Sequence, residues 1–158
     1  SLGQGLSMAC GLAAGLRLDA RPSRVYCIVG DGELAEGQIW EAAMAARVHK
    51  LDNLTAILDY NTVQAMGPVA ERFDTTPYLQ KWQAFGWHTV EADGHDVQSV
   101  TDAFAEAAAI RGRPSIVIAH TIKGKGLDYA EGNAAYHNGT LTEEQCRLAV
   151  DLFLSRSK

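Results

Sequence analysis

Hydrophobic and polar positions along the chain alternate between a strand-like and a helix-like pattern, with short connections between the segments. Four segments have the length and composition of strands, and the first two are apolar almost throughout, as strands buried in a parallel sheet are. The predicted strands cover residues 24–30, 54–60, 87–93 and 114–120. The predicted helices cover residues 4–18, 37–49, 76–85, 96–111 and 142–155.

This order of elements predicts an α/β fold in which a doubly wound, mainly parallel sheet carries helices on both faces. The 158 residues are about one domain's worth of chain, so we expect a single domain over residues 1–158. The chain opens directly on a helical pattern of small residues, without a leader-like segment, and we therefore expect it to be incomplete at its N-terminus. In sheets of this kind ligands bind at the carboxyl ends of the strands.

Composition and charge narrow the classes of function. The formal charge of -5 comes without a block of Lys and Arg, which argues against nucleic-acid binding. No apolar run reaches the roughly 18 residues that a membrane span needs, so we expect no membrane segment and a cytoplasmic protein. Cys10, Cys27 and Cys146 are far apart and lie in apolar stretches, which favours reduced core thiols over a disulfide framework or a zinc site.

Polar residues with useful chemistry follow the first two predicted strands. Gly30, Asp31 and Gly32 end the first strand, and Asn61 comes directly after the second. If these strands are neighbours, the Asp31 carboxylate and the Asn61 amide oxygen converge, and hard oxygen ligands of this kind bind Mg²⁺ together with diphosphate oxygens. The glycines and the helix that begins near Glu36 favour a phosphate group at the same place. The alternative is an ordinary turn in which Asp31 caps its own backbone.

The spacing of these residues resembles the cofactor motif of the thiamine diphosphate enzymes, because this chain has GDG, then 28 residues, then Asn61. Longer stretches are similar to the diphosphate-binding domain of transketolase, particularly the N-terminal subunit of split bacterial transketolases. These stretches are LGQGLSMACGLA, GDGELAEGQIWEAAMAARVHKLDNLTAILDYNTVQAMGPV, WQAFGWHTVEADGHD and TIKGKGLDYAEGNAAYHNG. The resemblance covers nearly the whole chain, and it implies the thiamine-diphosphate-binding fold.

The resemblance also implies roles for particular residues. It implies that Asp31, Asn61 and the backbone carbonyl of Val63 bind Mg²⁺. It implies that His137 contacts the diphosphate near the reacting carbon and takes part in catalysis. The other residues that it places around the cofactor are Leu2 and Gly3 against the aminopyrimidine ring, and Gly30, Gly32 and Glu33 on the diphosphate side. Two acidic residues, Glu36 and Glu41, match a carboxylate network that links the two cofactors of the dimer.

The function implied by the resemblance is the transfer of a two-carbon ketol group from a ketose to an aldose, commonly as sugar phosphates, through a thiamine diphosphate adduct. The pyrimidine-binding domain, which the chemistry also needs, is expected on a partner chain, the C-terminal transketolase subunit, in a homo- or hetero-oligomer. Two alternatives stay open. One is a non-catalytic or regulatory subunit with the same fold, and the other is a different thiamine diphosphate enzyme, such as a deoxyxylulose-phosphate synthase or a dehydrogenase E1 component.

The glycine-rich segment 123–139, which carries His137, has little apolar sequence to anchor it. We therefore expect a mobile loop that becomes ordered when the diphosphate is present. Within it, the stretch 124–126 could contact phosphate through its backbone, or Lys123 and Lys125 could be solvated loop charges. For His137 the alternative is likewise a solvated side chain, and for His49, His88, His95 and His120 a structural role is the first interpretation.

Overall fold

The computed structural model describes residues 2–156, with the backbone alone described at 156. Its strands are β1 (Val25–Gly30), β2 (Leu54–Tyr60), β3 (Val63–Gln64), β4 (Gly67–Pro68), β5 (His88–Asp93) and β6 (Ser115–His120). Its α-helices are α1 (Gln4–Leu18), α2 (Gly37–Val48), α3 (Val69–Arg72), α4 (Tyr78–Ala84), α5 (Val97–Ala109) and α6 (Glu143–Arg156). All of the predicted helices and strands are present, with ends that differ by at most two residues.

Four strands form one parallel sheet in the order β1-β2-β6-β5. The first two predicted strands are therefore neighbours, as the interpretation of the motif requires, with Gly30 paired to Asp59. On the other side of β2, Asp59 pairs with Ala119 of β6. Because the strands are parallel, the loops that follow β1, β2 and β6 all leave the same edge of the sheet.

The sheet is packed on both faces, which confirms the doubly wound arrangement. On one face α1, α2 and α4 cover a large apolar cluster that includes Leu58, Ile116 and the fully buried Trp82. On the other face α5 packs Ala103 and Ala107 against the strands β5 and β6. Two packed layers hold β2 and β6 in place, so the residues at their carboxyl ends have a fixed position.

The segment between β2 and α4 is more structured than the sequence predicts. The sequence pattern predicts neither a helix nor a strand over residues 61–75, but β3 and β4 pair in an antiparallel hairpin, and α3 follows directly. The Thr62 carbonyl accepts a hydrogen bond from the Val69 amide at 2.9 Å, which closes the hairpin. Strands of two residues carry too little periodic pattern for the sequence to indicate them.

The cysteines divide into two groups. Burial raises the pKa of the Cys10 thiol to about 11, with a further contribution from Cys27, and burial likewise raises the pKa of Cys27. Both side chains are therefore neutral thiols at physiological pH, as expected for core residues. Cys146, in contrast, is exposed on α6, so the prediction that it lies in the core is wrong. The apolar residues around it in the sequence are themselves exposed, including Leu148 and Val150.

The helices can also be compared with the length of a membrane span. Among residues 2–156, no helix combines the length and the apolar character that crossing a membrane requires.

Candidate functional site

A cleft of about 230 Å³ opens at the carboxyl edge of the sheet, between the loops that follow β1, β2 and β6. It is lined by Leu2, Gly30, Asp31, Gly32, Glu33, Asp59, Asn61, Val63, Gln64, Ala65, Lys123 and His137. The structure thus brings together all of the residues predicted to bind cofactor or metal except Gly3, which lies behind Glu33. A second cavity of about 500 Å³ shares Asp59, Asn61 and Lys123 with the cleft and extends the site along the loop that follows β6.

Asp31 lies at the floor of the cleft and is 2% exposed. Its Oδ1 atom accepts a hydrogen bond from the Gly32 amide at 2.8 Å, and its Oδ2 atom accepts one from the Thr62 amide at 2.5 Å. Burial raises the pKa of this carboxyl group, the two amide hydrogen bonds oppose the rise, and the negative charge of Asp59 adds to it. A buried carboxylate with a second carboxylate nearby is an environment that a bound cation would stabilise.

Asn61 faces Asp31 from the end of β2. Its Nδ2 atom donates to Asp59 Oδ2 at 2.9 Å, and its Oδ1 atom accepts from the Val63 amide at 3.0 Å. An amide oxygen has two lone pairs, so Oδ1 keeps the capacity to accept a second contact from the cleft.

The backbone at Thr62 turns the chain between Asn61 and Val63. Thr62 has a φ of 66°, which is a costly conformation for a β-branched residue. In the hairpin the Thr62 carbonyl is hydrogen-bonded to the Val69 amide. Because hydrogen-bonded and non-hydrogen-bonded positions alternate along an antiparallel pair, the amide and carbonyl of the next residue, Val63, point away from β4, on the side of Asn61. The strained turn therefore directs the Asn61 amide and the Val63 carbonyl to the same side of the chain.

The groups at this edge fit a Mg²⁺ ion. Asp31, Asn61 and Val63 supply a carboxylate, an amide oxygen and a carbonyl oxygen, which are the hard ligands that Mg²⁺ accepts, and diphosphate oxygens and water would complete an octahedron. Among the described residues there is no cluster of three or more His, Cys, Asp or Glu side chains that could hold a metal without such additional ligands. Three protein oxygens leave the remaining positions around Mg²⁺ to other ligands, so this donor set suits an ion that is bound jointly with a phosphate-bearing ligand.

Glu33 ties the start of α1 to the end of β1. Its carboxylate accepts the Gly3 amide at 2.8 Å through Oε1 and the Gly30 amide at 3.1 Å through Oε2. Gly3 has a φ of 82°, and a Cβ atom there would come within 2.8 Å of the Cβ atom of Glu36. The hydrogen bond between Glu33 and Gly3 holds the neighbouring Leu2 at the mouth of the cleft. The Leu2 carbonyl also accepts a hydrogen bond from the Gln38 side chain at 3.2 Å.

The backbone amides of Gly30 and Gly32 are used differently from the sequence-based expectation. The sequence predicts that they approach phosphate oxygens, but they donate to the carboxylates of Glu33 and Asp31 within the same loop. The basic side chains that line the cleft come instead from the loop after β6, which contributes the Lys123 ammonium group and the His137 imidazole.

The backbone at Gly32 lies close to Gln64 of the β3–β4 hairpin, and this gives a testable prediction. A Cβ atom at this position would lie 2.9 Å from the Cβ atom of Gln64 on the β3–β4 hairpin. We expect Gly32→Ala to lower the free energy of unfolding by about 1–3 kcal/mol, because the hairpin has to move away. Chemical denaturation should show this loss, whereas Gly37→Ala, where a Cβ meets nothing within 4 Å, should unfold close to the wild type. Equal midpoints for the two variants would contradict the close approach.

The loop after β6 is held by several internal contacts. The Gly132 amide donates to the Lys123 carbonyl at 2.9 Å, and the rings of Tyr129 and Tyr136 are 5.5 Å apart. Tyr136 also accepts from Gln145 of α6 at 2.8 Å. His137 itself is exposed and follows a short 3-10 helix, Ala134–Tyr136. Anchoring is thus greater than the sequence suggests, while ordering of the loop on diphosphate binding stays a prediction.

Four residues that line the cleft have no role assigned from the sequence, namely Asp59, Gln64, Ala65 and Lys123. Asp59 and Gln64 flank Asn61 in the sequence, and Lys123, for which solvation was an equal alternative, lines the cleft and is only half-exposed. Position at the end of a parallel strand is the signal that could have indicated Asp59. Lys125 lines the second cavity and not the cleft, and its Nζ atom lies 3.8 Å from a carboxylate oxygen of Glu131, so it is a loop charge beside the site.

Glu36 and Glu41 are not among the residues that line the cleft. Glu36 precedes α2 and is half-buried, and Glu41 is exposed one turn later on the helix. Neither side chain lines the cleft, so their predicted part in a network between subunits stays a prediction.

Comparison with known proteins gives one family. Residues 1–153 match the family model described as the thiamine diphosphate binding domain of transketolase. The chain is 47% identical over 150 residues to a 6-deoxy-6-sulfo-D-fructose transketolase subunit from Clostridium sp. (strain MSTE9), and 40% identical to an apulose-4-phosphate transketolase subunit from Phocaeicola vulgatus. A solved transketolase structure from Campylobacter jejuni superimposes with a TM-score of 0.87 at 32% identity, over 95% of this chain and 24% of that one.

The extent of these matches differs between the chains compared. Each of the two subunits is matched over 95% of this chain. The matched part is 54% of the Clostridium protein and 53% of the Phocaeicola protein. The chain therefore spans about half the length of these relatives.

Proposed function

The chain belongs to the transketolase family, and from this premise we propose that it holds the diphosphate and the Mg²⁺ of thiamine diphosphate in an enzyme that transfers a two-carbon ketol group from a ketose to an aldose. The observation that carries the proposal is the meeting of Asp31, Asn61 and Val63 at the ends of two neighbouring strands, in a cleft that also contains Lys123 and His137.

Each group has a distinct task in this proposal. Asp31, Asn61 and Val63 hold the metal through oxygen atoms. Lys123 and His137 provide positive charge or hydrogen-bond donors to the diphosphate, whose negative charge the metal neutralises only in part. Thiamine diphosphate, when bound, supplies the carbon nucleophile and the electron sink that ketol transfer requires. The protein contributes the orientation of that group and the exclusion of competing contacts.

We further propose that a partner subunit completes the site. Two relatives at 47% and 40% identity are named as subunits of transketolases, which supports a second chain that carries the pyrimidine-binding domain. The substrates proposed are a ketose and an aldose of the sugar phosphate class, and the setting proposed is the cytoplasm, whose reducing conditions suit the neutral thiols of Cys10 and Cys27. Transketolase relatives favour this reaction over those of the other thiamine diphosphate enzymes.

Isothermal titration calorimetry tests the proposal directly. The full-length protein with its partner subunit is titrated with thiamine diphosphate in the presence of Mg²⁺, of Ca²⁺ and of a chelator. We expect saturable binding with a divalent ion and none with the chelator, because in the proposed site the protein and the diphosphate both bind the metal. Comparing the titrations with Mg²⁺ and with Ca²⁺ shows which ion gives the tighter binding of thiamine diphosphate.

Binding that is equally tight in the chelator would contradict the joint site. Binding together with an absence of ketol transfer by the reconstituted enzyme would favour the alternative of a regulatory subunit.

A further inference from the structure

Asp59 lies beside the proposed metal ligands and uses both of its carboxylate oxygens. Oδ2 accepts the Asn61 side-chain amide at 2.9 Å, and Oδ1 accepts the hydroxyl group of Thr121, which follows β6. We propose that Asp59 is a positioning residue that fixes the orientation of the Asn61 amide and joins it, through Thr121, to the loop that carries Lys123 and His137. This inference rests on the proposed function, because it assigns the oriented Asn61 oxygen to the metal.

The orientation of Asn61 follows from the chemistry of its two neighbours. A side-chain amide has a donor end and an acceptor end, and a rotation of 180° exchanges them. The Asp59 carboxylate oxygen accepts from the Asn61 side chain, and the backbone amide of Val63 can only donate. Their contacts at 2.9 and 3.0 Å therefore select the orientation in which the Asn61 oxygen is available to a cation. If Asp59 is removed, only the weaker hydrogen bond from the Val63 amide still favours this orientation of the Asn61 side chain.

The link to the loop passes through Thr121. Its backbone amide donates to the Tyr60 carbonyl at 3.1 Å, so the loop leaves β6 in contact with β2. Its hydroxyl group then reaches Asp59, and two residues later Lys123 lines the cleft. The same carboxylate thus sets the amide of Asn61 and the start of the loop, which couples metal binding to the positions of Lys123 and His137.

Variants at position 59 separate the positioning role of Asp59 from the effect of its negative charge. Asp59→Asn and Asp59→Ala remove the same negative charge. Only Asn can still accept from Asn61 through its oxygen while its amide group donates to the hydroxyl of Thr121, since a hydroxyl group can reverse its role. A difference between these two variants therefore reports the hydrogen bonds and shape of the side chain at position 59, and not its charge.

The experiment measures the dissociation constant of Mg²⁺ in the presence of saturating thiamine diphosphate, on the full-length protein with its partner subunit. We expect Asp59→Ala to bind Mg²⁺ about 10- to 100-fold more weakly than Asp59→Asn, which is the scale for losing an outer-shell partner of a metal ligand. Equal dissociation constants for the two variants, with normal wild-type binding, would overturn the positioning role while leaving the proposed function intact. Absence of metal-dependent cofactor binding in the wild type would overturn both.

A second measurement follows the loop and does not depend on the stability of Asp59→Ala. Trypsin cleavage after Lys123 and Lys125 is timed without and with Mg²⁺ and thiamine diphosphate. We expect Thr121→Val, which lacks the hydroxyl group, to be cleaved several-fold faster than Thr121→Ser, which keeps it. Equal cleavage rates for this pair under both conditions would overturn the link between Asp59 and the loop.

Discussion

Asp31→Asn should weaken the binding of Mg²⁺ with thiamine diphosphate by about 100-fold or more, while the fold persists. The substitution keeps the shape of the side chain but removes the negative charge of a group that is 2% exposed. Loss of an outer-shell partner already costs about 10- to 100-fold in metal affinity, and loss of a charged direct ligand should cost at least as much.

The effect on stability should be smaller. Asp31 accepts hydrogen bonds from the backbone amides of Gly32 and Thr62, whereas an Asn side chain has only one acceptor oxygen. Losing one of these bonds should lower the free energy of unfolding by about 1–3 kcal/mol. Removing a buried charge, whose desolvation raises the pKa of Asp31, offsets part of this loss. Cofactor binding should therefore be lost before the fold is lost.

Calorimetric titration of cofactor and metal, together with thermal unfolding, measures both effects. Asn61→Asp should also weaken cofactor binding, because the additional carboxylate repels the diphosphate. Asp19→Asn is the matched control, since Asp19 is exposed at the end of α1, away from the cleft. Wild-type affinity in Asp31→Asn, in a protein that melts normally, would refute the assignment of Asp31 as a metal ligand.

His137→Ala should lower kcat by about 100-fold and change folding stability little. His137 is exposed and lines the cleft, so its removal costs little packing. With the diphosphate bound, its imidazole can donate a hydrogen bond to an oxygen of that group and stabilise the negative charge that develops in the transition state. Removing one such positioned donor costs on the order of 10²-fold in rate.

Steady-state kinetics of the reconstituted enzyme measures this loss, and His49→Ala provides the control. His49 is also exposed, but it lies at the C-terminal end of α2, outside the cleft. Limited proteolysis of segment 123–139, with and without cofactor and Mg²⁺, tests the accompanying expectation that the loop becomes ordered. Unchanged turnover in His137→Ala and cleavage that is indifferent to cofactor would leave His137 as a solvated loop residue.

The local part of the fold was readable from the sequence. The apolar runs at β1 and β2 and the helical spacing at α5 depend on residues near one another in the chain, so the pattern alone indicates which segments are buried. The GDG motif and Asn61 could be placed at strand ends for the same reason. Their convergence required one further condition, that β1 and β2 be neighbours, and the structure supplies it.

What the sequence by itself determined is the identity of the four sheet strands and of five helices, the family resemblance and the residue types available at the carboxyl edge. Only the tertiary structure decided that Thr121, 62 residues from Asp59, contacts it, that Lys123 faces the cleft and that Cys146 is exposed. Hydrophobic periodicity specifies that a surface is buried, but it does not specify which surface covers it. Contacts between distant segments exist only once strand order and helix packing are fixed, so the orientation of Asn61 is a property of the folded chain.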